Sequence, residues 1–246
     1  MDHQARIGTI RASVRYLSER AVTHGSIGVP NTPAWTIGEV ATHVGWALSF
    51  WRHMMDSAPD DQTARDRALA ETAPFTPDLD SEQFVERVEP VLAHMSADEH
   101  AQCYVSMTGG PGTRGLWARH ALSEIGVHCM DVEAALGEPH GITTDEGHDA
   151  VDYVATWVLP SFRRMTGEDP GALSLELMGP DAEIVDTLSI ASEAPGSAVV
   201  RGSTSQLLLG LWGRPHQGVE VRDGDSGVWQ TWTELPSRSF QFAPDD

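Results

Sequence analysis

The chain has 246 residues, enough to bury the core of one large domain or two modest ones without disulfide support. It contains 36 acidic residues against 16 basic residues, all of them arginines, and its formal net charge is −20 at pH 7. This balance argues against nucleic acid or an anionic membrane as a partner, because a polyanion repels such a chain at long range.

Two cysteines, Cys103 and Cys129, are too few for a disulfide framework and favour a reducing compartment. The residues after Met1 are charged and amphipathic, unlike those of a secretory signal peptide. No apolar run approaches the roughly 20 residues of a membrane-spanning helix. We therefore expect a soluble, cytoplasmic globular protein.

The first 140 residues are predicted to be mostly helical. Apolar residues recur at intervals of three and four from Ile7 to Leu17, which is the period of an amphipathic helix. A loop rich in Gly and Pro at 25–33 ends this helix. We expect Ser81 to cap the third long helix and Gly137 to end the fourth. The later helices are predicted from near Thr36 to about Met55, from 81 to about 95, and over 116–136. The segment 58–80 is interpreted mostly as a connection, with room for a short helix around 64–70.

A long connection at 58–80 and the breaker TGGPGTRG at 108–115 separate these helices, an arrangement typical of a four-helix bundle. After residue 139 the sequence changes to one helix and several short β-type runs. The helix is predicted over 144–165, the runs at 173–177, 186–190, 197–201, 219–222 and 228–232, and a further helix, capped by Ser203, at 203–214. The predicted fold class is α+β, with a helical bundle at 1–140 and a small α/β C-terminal domain at 141–246.

A helical wheel for the second helix, drawn at about 100° per residue, places His43 within the apolar arc. We therefore expect His43 to be buried or to face a cavity. Gly45 falls on the opposite, polar side, and His53 lies at the edge that faces solvent. By itself this favours a core histidine over a metal ligand, because a single buried histidine is more often part of a core.

Glu124 and His128 are four residues apart on the 116–136 helix, so their side chains project from adjacent turns. Together they can offer a carboxylate oxygen and an imidazole nitrogen to one metal ion. The alternative is a solvated helical face that carries this pair, although Trp117 shares the same sector. If His43 faces the same interior, two nitrogens and one oxygen meet and leave a fourth position open, as in catalytic divalent-metal sites.

Three neighbours of this pair have open roles. His120 lies one turn before Glu124 and could compete as a ligand. Asp131 is either an acceptor for an imidazole N–H or a solvated carboxylate. Cys129 points roughly 100° away from His128 on the wheel, so we expect it in the core.

Three segments of the chain are distinctive: PAWTIGEVATHVGW (33–46), GLWARHALSEIGVHCMDVEAALG (115–137) and VVRGSTSQLLLGLWGRPHQGVEV (199–221). Together they resemble the mycothiol-dependent maleylpyruvate isomerase family. The resemblance implies a DinB-like four-helix bundle followed by a small α/β domain. It also implies a divalent metal, usually zinc, with ligands that match His43, Glu124 and His128. An active-site arginine of the family matches Arg214.

A metal with an open position would bind a thiol and lower its pKa, and the thiolate is the nucleophilic form. The resemblance therefore implies an enzyme in which mycothiol attacks a small electrophile, either as a maleylpyruvate isomerase or as a mycothiol S-transferase. Arg214 would bind a carboxylate or the polar part of mycothiol, because its planar guanidinium forms paired hydrogen bonds. Two other hypotheses stay open: a hydrolase that uses metal-activated water, and a non-catalytic binding module stabilised by the metal.

Overall fold

The computed structural model describes residues 1–75, 80–106, 109–138 and 141–239. The chain divides into two compact units, Met1–Gly141 and Ile142–Asp246. The first is largely helical and the second mixes helices with a four-stranded sheet, so the predicted α+β class is confirmed. Among the described residues no helix has the length and apolar character to cross a lipid bilayer.

The first unit is a four-helix bundle with a short helix and a hairpin inserted between its long helices. Its elements are α1 (His3–His24), α2 (Ile37–Met55), α3 (Ala64–Glu71), α4 (Ser81–Ala97), β1 (Gln102–Val105), β2 (Gly110–Thr113) and α5 (Arg114–Leu136). The four long helices, α1, α2, α4 and α5, all pack on one another. Apolar residues at helical spacing, such as Ile10, Val14 and Leu48, fill the space between them and are fully buried.

Helix caps explain most of the boundaries. The Thr36 hydroxyl accepts from the Glu39 amide at 3.3 Å, and the Thr36 amide donates back to the Glu39 carboxylate at 2.6 Å. Gly137 ends α5 in the left-handed conformation, with φ at 67°, as predicted. The cap predicted for α4 is wrong: the preceding Asp80, not Ser81, accepts from the amide of Gln83 at 2.9 Å.

The hairpin before α5 was not predicted, because its second strand has the sequence GPGT, which lacks the alternation typical of strands. Residue 108, the first of the breaker segment, and the preceding residue 107 lie outside the described residues. Gly112 allows the close pairing, since a Cβ there would stand 2.4 Å from the side chain of Val105. The hairpin leads directly into α5, which Thr113 caps.

The second unit is built on a mixed sheet. Its elements are α6 (Thr144–Tyr153), a π-helical turn (Val154–Val158), α7 (Leu159–Thr166), β3 (Ala172–Met178), β4 (Ile184–Ile190), β5 (Ser197–Ser203), α8 (Thr204–Leu211), β6 (Glu220–Gly224) and α9 (Ser226–Ser239). The strand order is β4-β3-β5-β6, with β3 parallel to β5 and the other pairs antiparallel. Alternate residues of β3, among them Leu173 and Leu175, are buried beneath α8 and α9.

Two predictions for this unit need correction. The run at 228–232 is not a strand but part of α9, where the buried residues Val228, Trp232 and Leu235 recur at helical spacing. The prediction relied on composition, because aromatic and β-branched residues are frequent in strands. The helical spacing of the apolar residues was a weaker signal. The helix predicted over 144–165 is interrupted by the π-helical turn, which lies next to Pro160, a residue without a backbone N–H.

Gly45 of α2 is buried, although the wheel places it on the polar side of the helix. Phe75, from the segment after α3, covers it, and a Cβ on residue 45 would stand 2.7 Å from the phenyl ring. The ring is itself held by Phe84, with centroids 4.8 Å apart, and by the guanidinium of Arg87 at 4.4 Å. A connecting segment therefore packs directly against the backbone of α2.

We expect Gly45→Ala to lower the free energy of unfolding by about 1–3 kcal/mol, because the added methyl group displaces Phe75. Gly8→Ala in α1 is the matched control, since nothing lies within 4 Å of its new Cβ. It should raise the free energy of unfolding by up to about 1 kcal/mol through helix propensity. Urea unfolding of both variants measures this; equal effects of the two substitutions would contradict the packing of Phe75 on α2.

Candidate metal centre

Three side chains from two helices of the bundle converge on one point. His43 comes from α2, and Glu124 and His128 come from successive turns of α5. One ligand atom from each residue can be chosen so that all three lie within 4.8 Å of one another. The Nε2 of His43 is 3.2 Å from Oε1 of Glu124. Within the described residues, this is the sole group of three or more metal-ligating side chains that are this close.

The burial of these side chains decides between the two interpretations of the α5 pair. The side chain of His128 is 5% exposed and that of Glu124 is 17% exposed, so the solvated-face alternative is wrong. His43 is partly open, with 28% of its side chain exposed. The group is therefore sheltered in the bundle and reaches solvent on the His43 side.

Asp131 orients His128. It is fully buried, and its Oδ2 lies 3.3 Å from Nδ1 of His128. An ionised carboxylate can only accept, so Nδ1 carries the proton and Nε2 keeps its lone pair for a ligand. Asn31, from the loop before α2, donates to the other oxygen of Asp131 at 3.1 Å. The interpretation of Asp131 as an acceptor agrees with these contacts. Nothing in the sequence pattern indicates that Asn31, 100 residues away, binds Asp131.

Two tryptophans flank the histidines. The Trp35 ring lies 4.8 Å from the ring of His43 and 5.9 Å from that of His128, measured between centroids. Trp46 also stacks with His43, with ring centroids 6.5 Å apart. These aromatic faces limit the rotation of the imidazoles and displace water from their surroundings.

The protonation states of Glu124 and His128 suit a divalent metal ion. Burial raises the pKa of Glu124, but the hydrogen bonds from His120 and His43 outweigh burial and hold this pKa below its usual range. Burial lowers the pKa of His128, against the opposing hydrogen bond to Asp131. The site thus presents an ionised carboxylate and a neutral imidazole at neutral pH, the forms that bind divalent cations.

His120 and Cys129 do not join the group. His120 instead places its Nε2 2.9 Å from Oε2 of Glu124, the oxygen that does not face His43. Cys129 is buried, and its Sγ lies 3.8 Å from the carbonyl oxygen of Ser13 in α1, as expected for a core residue.

Arg214 belongs to the second unit, where it follows α8. It lines a shallow cavity of about 470 Å³, together with polar residues that include Thr233 and Glu234. His216 fixes the backbone beside it: Nδ1 donates to the carbonyl oxygen of Arg214 at 2.9 Å, and Nε2 accepts from the indole of Trp229 at 3.2 Å. Sequence reasoning missed His216. The binding role of Arg214 remains a prediction, as does metal binding by the bundle residues.

Comparisons with known proteins agree with this architecture. A family model described as the mycothiol maleylpyruvate isomerase N-terminal domain matches residues 5–133. A crystal structure of the mycothiol-dependent maleylpyruvate isomerase superposes with a TM-score of 0.55 at 16% identity, covering 92% of this chain and 94% of that one. A histidine-to-alanine mutant of such an enzyme gives a TM-score of 0.57 at 14% identity, with the same coverage. At these identities the two structures show a shared fold.

No curated protein sequence matches the chain. The family model, however, spans more than half of the chain and includes both helices that carry His43, Glu124 and His128. The chain therefore belongs to the family defined by the mycothiol maleylpyruvate isomerase N-terminal domain.

Proposed function

We propose that this protein is a metal-dependent cytoplasmic enzyme that uses mycothiol to attack a small electrophile, as a maleylpyruvate isomerase or a related S-transferase. The observation that carries the proposal is the convergence of His43, Glu124 and His128 inside the bundle of a chain from this family. The partners are then a low-molecular-weight thiol and a small-molecule electrophile. Zinc is the first candidate for the metal.

The three residues fit a divalent ion. Two imidazole nitrogens and one carboxylate oxygen form a donor set found in catalytic zinc sites, which keep one position for a further ligand. Two ligands of one tetrahedral zinc ion, each at roughly 2.0–2.1 Å from it, stand about 3.3 Å apart. His43 Nε2 and Glu124 Oε1 are 3.2 Å apart. The wider separations, up to 4.8 Å, would have to shorten when a metal binds.

A divalent ion in this site would act as a Lewis acid that lowers the pKa of a bound thiol toward neutrality. The residues of the chain prepare the site for it: Asp131 orients His128, Glu124 stays ionised, and Trp35 shields the imidazoles from water. In the isomerase version, the thiolate would add to the cis double bond of maleylpyruvate, and the electron pair of that bond would move onto the conjugated carbonyl as an enolate. After rotation about the resulting single bond, collapse of the enolate would re-form the double bond in the trans geometry and expel the same thiolate.

The two cysteines of the chain are unsuited to replace an external thiol. Both are buried, and Cys103 has no exposed surface. Burial raises the pKa of Cys103 to about 11, so its sulfur is protonated at neutral pH. The burial of both cysteines supports the proposal that a small molecule supplies the nucleophilic thiol.

Turnover of maleylpyruvate by the zinc-loaded protein should require added mycothiol. His43→Ala should bind less than one equivalent of zinc and lose more than about 100-fold in turnover, since it removes a ligand and not merely a group that supports one. His53→Ala is the matched control, because His53 lies on the same helix but pairs with Glu71 at 3.5 Å. Zinc content by elemental analysis and product formation by absorbance provide the two readouts.

Equal turnover without any thiol would contradict the proposal and favour the hydrolase. A folded wild-type protein that binds no divalent metal would contradict it as well. If Glu124→Ala causes a large fall in melting temperature and the wild type has no turnover to lose, the non-catalytic binding module is the better explanation.

We propose that Arg214 binds a carboxylate of the substrate or the polar part of mycothiol. Loss of a charge-assisted hydrogen bond costs about 1.5–3 kcal/mol, so Arg214→Ala should lower kcat/KM on the order of 10- to 100-fold. Zinc content should not change, since Arg214 is not among the three converging residues. Arg222→Ala is the control, because Arg222 is a surface residue of β6 that pairs with Glu220 at 3.0 Å. A wild-type kcat/KM for Arg214→Ala would exclude this role.

A further inference from the structure

We propose that His120 is a positioning residue that binds one carboxylate oxygen of Glu124 and leaves the other as the single oxygen ligand for the metal. This inference deepens the proposed function, because it rests on the metal site of that proposal. It concerns the number of positions that the protein itself fills around the ion.

The two oxygens of Glu124 have different partners. Oε1 faces His43, at 3.2 Å from its Nε2, and Oε2 faces His120, at 2.9 Å from its Nε2. Because an ionised carboxylate can only accept, the Nε2 of His120 carries the proton and donates it. Oε2 is therefore directed toward His120, whereas Oε1 is the oxygen that faces His43.

The imidazole of His120 has little freedom to move. It lies on α5 one turn before Glu124, and its side chain is 5% exposed. The ring meets Trp51 nearly edge-on at 5.0 Å and Trp117 at 5.6 Å. Trp117 is in turn anchored by a hydrogen bond from its indole to the carbonyl oxygen of Tyr104, at 3.0 Å. The donor is therefore fixed by packing before any metal binds.

The hydrogen bond from His120 would determine how many oxygen atoms of Glu124 bind the metal. With Oε2 held by His120, Glu124 contributes one oxygen, and with two histidines the protein fills three positions. Without His120, both oxygens of the Glu124 carboxylate could bind the same ion. The second oxygen would then occupy the fourth position, where the thiol is proposed to bind. His120 thus keeps this position open.

Two substitutions distinguish the effect of the N–H donor of His120 from the effect of its ring. His120→Phe keeps an aromatic ring between Trp51 and Trp117 but has no donor, whereas His120→Gln keeps an N–H donor without the ring. Both proteins are loaded with Co²⁺, whose visible absorption weakens as its coordination number rises, and zinc affinity is measured by competition with a chelator.

We expect His120→Phe to weaken zinc binding by about 10- to 100-fold, the usual effect of losing a group that orients a metal ligand. Its cobalt absorption should be weaker than that of wild type, and added mycothiol should produce a smaller thiolate-to-cobalt band. His120→Gln should keep the affinity and both spectra close to those of wild type. If His120→Phe does not fold, His120→Ala takes its place as the variant without a donor.

Wild-type affinity and spectra in the variant without a donor would overturn the proposal. Equal changes in His120→Gln and His120→Phe would also overturn it, because the ring rather than the N–H would then matter. Failure of the wild type to bind Co²⁺ or zinc is a separate result that contradicts the proposed metal site itself.

Discussion

A sheltered carboxylate held between two imidazoles links the two helices that make the site. Removing the charge of Glu124 from water is costly, and the cost is offset only if both oxygens are hydrogen-bonded. His43 provides a partner from α2 and His120 provides one from α5. The register between these helices is therefore tied to the geometry of this carboxylate.

The surrounding bundle serves to hold this arrangement. Asn31 and Asp131 fix His128 from one side, and Trp35 lies against both histidines of the group. The hairpin before α5 anchors Trp117, and Trp117 in turn packs on His120. Polar partners and aromatic packing thus act on the same few side chains. Such support is what a metal site needs to keep its ligands in place while one position stays available.

Much of this could be predicted from the sequence because helical periodicity is a strong local signal. The spacing of Glu124 and His128 fixes their common face on α5 without any tertiary information. The apolar arc of α2 directs His43 toward the interior, but only the family resemblance singles out His43, Glu124 and His128 as a ligand set. Where a local signal was absent or ambiguous, the predictions failed: the composition of 228–232 suits a strand, yet packing makes it part of α9.

Contacts between distant segments could not be predicted in this way. Asn31 reaches Asp131 across 100 positions in the sequence, and Phe75 covers Gly45 from a connecting segment without regular structure. The division of the Glu124 oxygens depends on the rotamers of His43 and His120, which spacing alone does not determine. Arg214 was identified through family resemblance, and its surroundings in the second unit, including His216, became visible only in the structure.

Binding of one divalent cation by His43, Glu124 and His128 can be observed in an anomalous difference map from crystals of the zinc-loaded protein, recorded at the zinc absorption edge. We expect one strong peak within about 2.2 Å of a nitrogen of each histidine and of one oxygen of Glu124. A zinc peak elsewhere, with these three side chains joined only by hydrogen bonds, would contradict it.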